Sequence, residues 1–424
     1  MTTVLLRAVR LLDPIRQTDG VVDVLVQDGI IEAIAPTLAD VPPDTVICDR
    51  PGLIMGPGLV DLYSTSGEPG YETRETLDSL LHAAIAGGFT RLTLLPHMQP
   101  PMDNPAMVTW LRSRLQTCAS TVRVEMWGAL TQGLLGDRMA EVAELAEAEV
   151  VGFTDGQPIA HLNLLHRLLD YLTPYGKPLA LWCCDRDLSY NGTAREGQDS
   201  IRLGLPGHPA MAETAAIAAV LECLTPESPP VHFMRISTAR SVELIQQGKE
   251  RGLPITASTT WMHLLWTTAD LEHYDPNLRL DPPLGTPADR AALVQAIATG
   301  VLDAIAVDHT PHTYEDKTVA FNEAPPGAIG LELALPLLWE AFVVTGQWDA
   351  LTLWSCLSTH PALCLQQEPP QIAVGQPAEL TLFAPHADWT VTRQTLQSRS
   401  HNTPYLGRSL RGRVMPWAQL IASL

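Results

Sequence analysis

Residues able to do chemistry stand at the ends of apolar runs spread along the chain. They are Asp61-Leu62-Tyr63-Ser64-Thr65, His97 in LPHMQP, Thr154-Asp155-Gly156, Trp182-Cys183-Cys184-Asp185, Arg235, Asp281 in LDPPLG, and Asp308-His309 with His312. Brought to one pocket, Asp155, Asp308, His97 and His312 could take and return a proton as general acid and base. Ser64 or Thr65 could attack as a nucleophile only beside a base, and nothing in the sequence clearly places one. Cys183 and Cys184 suggest thiol chemistry, yet no His is placed by spacing to ionise them, so burial is expected for both. His309 follows Asp308 directly; on a strand the two point to opposite faces, which makes His309 structural. His263, in the apolar TTWMHLL, is expected to be a buried, hydrogen-bonded histidine, and His97 a polar gap-filler at a strand end.

The elements that must position these residues alternate along the chain. Strand runs GLVDLY, TRLTLLP, VRVEMWGAL, VVGFT, PLALWCC, VHFMRI, LPITAS and LDAIAVD are each followed by an amphipathic helical pattern. The helices are expected over Glu75–Ala86, Asn104–Thr117, Arg138–Glu147, Ala160–Leu172, Ala210–Leu224, Ala239–Arg251, Ala288–Thr299 and Leu331–Val343, with Gly87 and Gly88 closing the first. Eight such units in roughly 300 residues predict an α/β fold, a (β/α)8 barrel, whose chemistry sits at the C-terminal ends of the strands. The barrel is expected over residues 53–365. The flanks, 1–52 and 366–424, read as short strands and turns that pair as a small β-sandwich.

Composition narrows the function classes. A net charge of −20 with no dense run of Lys and Arg argues against a nucleic-acid partner, because a phosphate backbone is repelled. Seven scattered cysteines without a C-x-x-C pair suit reduced thiols in a cytoplasmic protein. The N-terminal apolar run is broken by Arg7, Arg10 and Asp13, which makes a poor signal peptide. GAIGLELALPLLWEAFVVTG is interrupted by Glu332, Pro336 and Glu340, so it reads as a buried helix, not a membrane span.

The strings EPGYETRETLDSLLHAAIAGGFT, GALTQGLLGDRMAEVAEL, SIRLGLPGHPAMAE, ISTARSVELI, DHTPHTYEDK and SHNTPYLG, in this order, resemble the dihydroorotases of the amidohydrolase superfamily. The likeness is to the bacterial class in which an Asp, not a carboxylated Lys, bridges the metals, and it covers essentially the whole chain. What it implies is carried over residue by residue. The first-strand His-x-His pair that binds a divalent metal, usually zinc, falls on Tyr63 and Thr65; the bridging Asp falls on Asp155. The strand-five and strand-six histidines fall on Trp182 and Arg235, and the strand-eight Asp, ligand and general base, on Asp308. The substrate-binding Arg falls on Gly67, one Asn on His97 and another on Asp281, whereas His312 and the Pro326-Gly327 turn match.

A hydrolytic zinc needs about three protein ligands, and Asp155 and Asp308 alone do not supply them. No metal cofactor is therefore expected. Arg235 can sit where a metal would and bond both carboxylates, and its guanidinium is expected within salt-bridge distance of Asp155 or Asp308, with Tyr63 and Trp182 filling the vacated volume and Asp308 and His312 persisting as hydrogen-bonded loop residues. The resemblance thus implies a degenerate, non-catalytic homologue serving pyrimidine biosynthesis, associated with aspartate transcarbamoylase or with itself, without nucleic acid or membrane. The alternative is an active amidohydrolase opening a cyclic amide, dihydroorotate or similar, with an altered or single-metal site. A module that binds a small ligand in the remodelled pocket is the third reading.

Overall fold

The computed structural model describes residues 3–159 and 161–417. Eight parallel strands follow one another around a barrel: Leu59–Ser64, Phe89–Leu94, Arg123–Gly128, Gly152–Phe153, Leu179–Trp182, Val231–Met234, Ile255–Thr260 and Ala304–Ala306. Each lies within one of the eight sequence runs or overlaps it. The last strand meets the first through hydrogen bonds that span the chain: Val307 N–H donates to Asp61 Oδ1 at 2.8 Å, and Thr65 N–H to the His309 carbonyl at 2.8 Å.

Side chains from alternating strand positions fill the barrel interior, with Val60, Leu62 and Trp127 on the early strands facing Ala180, Ala304 and Ala306 on the later ones. Large residues opposite small ones let the layers interdigitate, and the Trp127 indole donates to the Leu62 carbonyl at 2.9 Å. Pairing of the first strand with the second slips between Asp61 and Ser64. An irregularity of this kind re-aims the side chain it carries, and Tyr63 stands there, fully buried.

The helices follow the expected order. The first runs Leu77–Gly87 from a Thr76–Ser79 capping box to Gly88, whose φ of 84° ends it in the left-handed form that glycine tolerates. The fourth is Leu162–Leu172; Ala160, where it was expected to begin, lies outside the described residues. The eighth differs from expectation: the α-helix covers only Ala334–Leu338 and passes into a π turn over Trp339–Val343. Among the helices not foreseen, Ala350–Leu357 and Thr359–Cys364 anchor on the residues before the first barrel strand. There the Trp354 indole donates to the Pro57 carbonyl and the Ser358 hydroxyl to the Gly58 carbonyl.

Both chain ends come together in one seven-stranded sheet, Ser409–Val414, Leu380–Thr390, Ile54–Pro57, Thr3–Asp13, Thr18–Gln27 and Ile30–Ala35, with Val46–Asp49 parallel to Thr3–Asp13. Among the described residues no helix is long and apolar enough to cross a membrane.

The closing residue Asp61 has a pH signature. Burial pushes its carboxyl up to about 7, against the hydrogen bonds from Ser64 and Val307. The unfolded chain titrates at the ordinary 3.8, so between that value and about 7 unfolding releases a proton the native state keeps. Stability therefore falls as pH rises through this window and levels off above it. In urea unfolding, the fall is expected to be smaller in Asp61→Asn, which cannot ionise. Equal pH slopes in the two proteins would mean that Asp61 is charged in the native barrel.

Candidate functional site

A cavity of about 420 Å³ opens at the C-terminal ends of the barrel strands. Thr65, His97, Trp182, Arg235, Asp308 and His312 all line it, brought together from the ends of different strands. Arg235 and Asp308 dominate it. The guanidinium grips the carboxylate bidentately, Nε to Oδ2 at 2.8 Å and Nη2 to Oδ1 at 2.7 Å, and Nη1 reaches the Gly156 carbonyl at 3.3 Å. Its charge also stands 4.8 Å from the Trp182 ring centroid and 5.7 Å from that of Tyr63. Both members of the pair have left-handed backbones, φ 55° at Arg235 and 52° at Asp308. Such conformations cost non-glycine residues on the order of 1–2 kcal/mol each and cluster at functional sites.

Arg235 lies within salt-bridge distance of one of the two carboxylates, as expected, and two finer expectations are corrected here. Arg235 pairs with Asp308 but not with Asp155. The Asp155 carboxylate accepts from the Leu130 and Thr131 backbone N–H groups at 2.9 Å each and from the Thr131 hydroxyl at 2.5 Å, pinning the loop after the third strand. Burial pushes its carboxyl up although these donors oppose the shift. Second, of the two aromatic residues expected as filling, Tyr63 is fully buried against Arg235, but Trp182 leaves the mouth open. Tyr63 is packed into the barrel with its hydroxyl 3.0 Å from Ser258 Oγ and accepting from the Arg235 N–H, whereas Trp182 is a wall of a cavity that stays open.

Arg186, which sequence reasoning missed, stands behind the cavity lining and touches two residues of it, Trp182 and Asp281. It stands 4.7 Å from the Trp182 ring centroid and pairs with Asp281 at 3.0 Å. Its place four residues after Trp182, across the turn into the short helix Arg186–Ser189, says nothing about direction. Gly67 has no room for a side chain, because a Cβ there would meet the Glu75 carbonyl oxygen at 2.3 Å and the Tyr71 carbonyl oxygen at 2.6 Å. The loop has closed over the place where a longer residue would start.

The histidines divide by partner. His97 Nε2 lies 3.2 Å from Gln157 Nε2, and burial together with the Arg235 charge pushes His97 down to about 4, so it is neutral. His312 donates from Nε2 to the Pro326 carbonyl at 2.9 Å; burial and the Lys317 charge hold it near 4 as well. His309 points away from Asp308, accepting from the Gly330 N–H and facing Glu75 Oε2 at 3.4 Å. His263 is buried between Thr260 and the Pro282 carbonyl.

Two possible nucleophiles do have neighbours that the sequence hid. Ser64 donates to Asp61 Oδ2 at 2.6 Å, but both are buried in the barrel wall and that carboxylate already closes the barrel. Cys184 Sγ lies 3.7 Å from His208 Nε2. Arg195, a donor only, sits 3.2 Å from His208 Nδ1, so that nitrogen must accept and Nε2 must carry the proton. A protonated Nε2 cannot deprotonate the thiol, and burial pushes Cys184 up to about 12. His208 is a neighbour the spacing did not show, and the expected burial of Cys183 and Cys184 is what the structure has, with the thiol inert.

The donor set does not fit a catalytic metal. Among the described residues no group of three or more His, Cys, Asp or Glu is arranged to hold one. Of the two carboxylates at the positions in question, one is held by a guanidinium and the other by backbone N–H groups and a hydroxyl.

A family model described as Dihydro-orotase-like matches residues 52–243. A dihydroorotase-like protein of Synechocystis sp. is 44% identical over 437 residues, covering 96% of this chain and 98% of its own length. The dihydroorotase of Solibacter usitatus is 33% identical over 410 residues, covering 96% and 95%. Among solved structures, the L-hydantoinase (dihydropyrimidinase) from Arthrobacter aurescens superposes with a TM-score of 0.84 at 20% identity, over 98% of this chain and 95% of that one. At that identity the likeness is one of fold.

Proposed function

The chain belongs to the dihydroorotase-like family, in the amidohydrolase superfamily, and from that premise we propose that it is a non-hydrolytic member acting as a structural partner of aspartate transcarbamoylase in pyrimidine biosynthesis. The Arg235–Asp308 pair carries this reading. A general base must be free to take a proton, and Asp308 is neutralised by two charge-assisted hydrogen bonds from a permanent cation. His97 and His312, the other candidates, are held near 4 and are feeble bases at neutral pH. The alternative, hydrolysis of a cyclic amide, has in its favour the open cavity of about 420 Å³. Of the two carboxylates that line that cavity among the described residues, Asp308 is held by Arg235 and Asp281 by Arg186, which leaves neither free to activate water.

Purified protein assayed for hydrolysis of dihydroorotate, as isolated and after zinc addition, is expected to show no turnover above the uncatalysed reaction. Turnover in either condition overturns the loss of hydrolysis. Co-expression with aspartate transcarbamoylase is expected to give one co-eluting species. Separate elution removes the partnership and leaves the loss of hydrolysis untouched.

A further inference from the structure

A second cleft, of about 300 Å³, lies beside the barrel mouth between the loop carrying His312 and the segment 393–406, with His312 as the wall it shares with the main cavity. Its charge is opposite to that of the molecule. The chain carries −20 overall, yet none of the described residues lining the cleft is an Asp or Glu. Arg393, Arg399 and Lys317 line it instead.

The nearest carboxylates are committed elsewhere. Asp316 is paired with Arg74 at 3.0 Å and caps Thr313, with its Oδ2 beyond hydrogen-bond reach of His312 Nδ1 at 3.8 Å, and Glu75 takes the Ser398 hydroxyl and the Arg399 backbone N–H. No salt bridge among the described residues involves the Arg393 or Arg399 side chain; Arg393 rests 5.7 Å from the Tyr314 ring centroid. Lys317, pushed down to about 7 by burial and the Arg279 charge, donates to the Pro276 and Pro325 carbonyls at 3.0 and 2.7 Å, so the cleft's lasting positive charge is that of the two arginines. His312 and His401 are pushed down by burial first and by a neighbouring cation second, Lys317 for one and Arg393 for the other.

The same cleft holds acceptors that lack donors. Asn277 Oδ1 is buried without a hydrogen-bond partner, while its amide nitrogen is pinned to Asp275 at 2.9 Å. His312, only 6% exposed, donates from Nε2, so its unpartnered Nδ1 is an acceptor. Buried acceptors without a donor carry an uncompensated desolvation penalty, and a ligand bringing hydroxyl or N–H groups would relieve it.

We propose that this cleft binds a small phosphate ester that also carries hydroxyl groups, with Arg393 and Arg399 on the phosphate and Asn277 and His312 on the hydroxyls. Arginine is the residue suited to this anion, because its planar fork donates two parallel hydrogen bonds to phosphate oxygens.

The test uses the full chain and three probes: ribose 5-phosphate, inorganic phosphate and ribose. Ribose 5-phosphate is expected to raise the melting temperature saturably, inorganic phosphate to do so more weakly, and ribose not at all. Arg393 and Arg399 are exposed, so Arg393→Ala/Arg399→Ala is expected to melt like the native protein without ligand. It should bind ribose 5-phosphate at least about tenfold more weakly. No saturable shift with either phosphate, or unchanged affinity in the double variant, overturns the site. Inorganic phosphate binding as tightly as ribose 5-phosphate overturns the role of the acceptors.

Discussion

Arg235→Met is expected to unfold at markedly lower urea, with a stability loss of about 3–5 kcal/mol. Removing the guanidinium leaves Asp308 without its bidentate partner in a largely enclosed site, its side chain 18% exposed, and strips the cation from the faces of Trp182 and Tyr63. The size of the loss reflects the abandoned carboxylate more than the worth of the pair. Arg235→Met/Asp308→Leu should therefore recover most of it, since an apolar pair of similar volume often matches a buried ion pair. The coupling from the complete double-mutant cycle reads this directly. If Arg235→Met is as stable as the native protein, or if the two losses simply add, the pair does not hold the barrel mouth together. The same cycle bears on function, because Arg235→Met frees Asp308 without supplying a metal ligand and is expected to remain without hydrolytic turnover.

Asp155→Ala is expected to cost about 2–4 kcal/mol, since it orphans two buried backbone N–H groups, at Leu130 and Thr131, and the Thr131 hydroxyl. Asp155→Asn should cost much less, on the order of 1 kcal/mol. Its amide oxygen can still accept the two N–H bonds from Leu130 and Thr131, and the Thr131 hydroxyl can rotate to accept from the amide NH2. A metal-binding carboxylate would behave otherwise, as Ala and Asn would both abolish metal uptake and leave stability little changed in the metal-free protein. Urea midpoints for the pair distinguish the two roles. Equal, small losses would make Asp155 a potential ligand again.

Much of the fold was legible because its signals are local. Each barrel strand is a short apolar run, and each helix after it has its own periodicity and end signals, such as Thr76 and the glycine pair at 87 and 88. The helices Ala350–Leu357 and Thr359–Cys364 escaped because their face is set by contact with Pro57 and Gly58, far away in the chain. The site was legible in residue types and not in partners. Cys184 gave no hint of His208, and Ser64 stood three residues from a base whose orientation depended on the irregular first strand.

By itself the sequence determined the barrel order, the family and the absence of imidazoles where a metal site would need them, because periodicity and side-chain chemistry belong to residues one at a time. Which carboxylate Arg235 would hold was decided only by the tertiary structure. Asp155 lay nearest the loop donors at Leu130 and Thr131, and Asp308 was left to the guanidinium from 73 positions away. The openness of the mouth was likewise decided in three dimensions. Tyr63, on the irregular first strand, is aimed into the barrel, whereas Trp182, at the end of a regularly paired strand, walls the mouth, and neither direction is written in the local sequence.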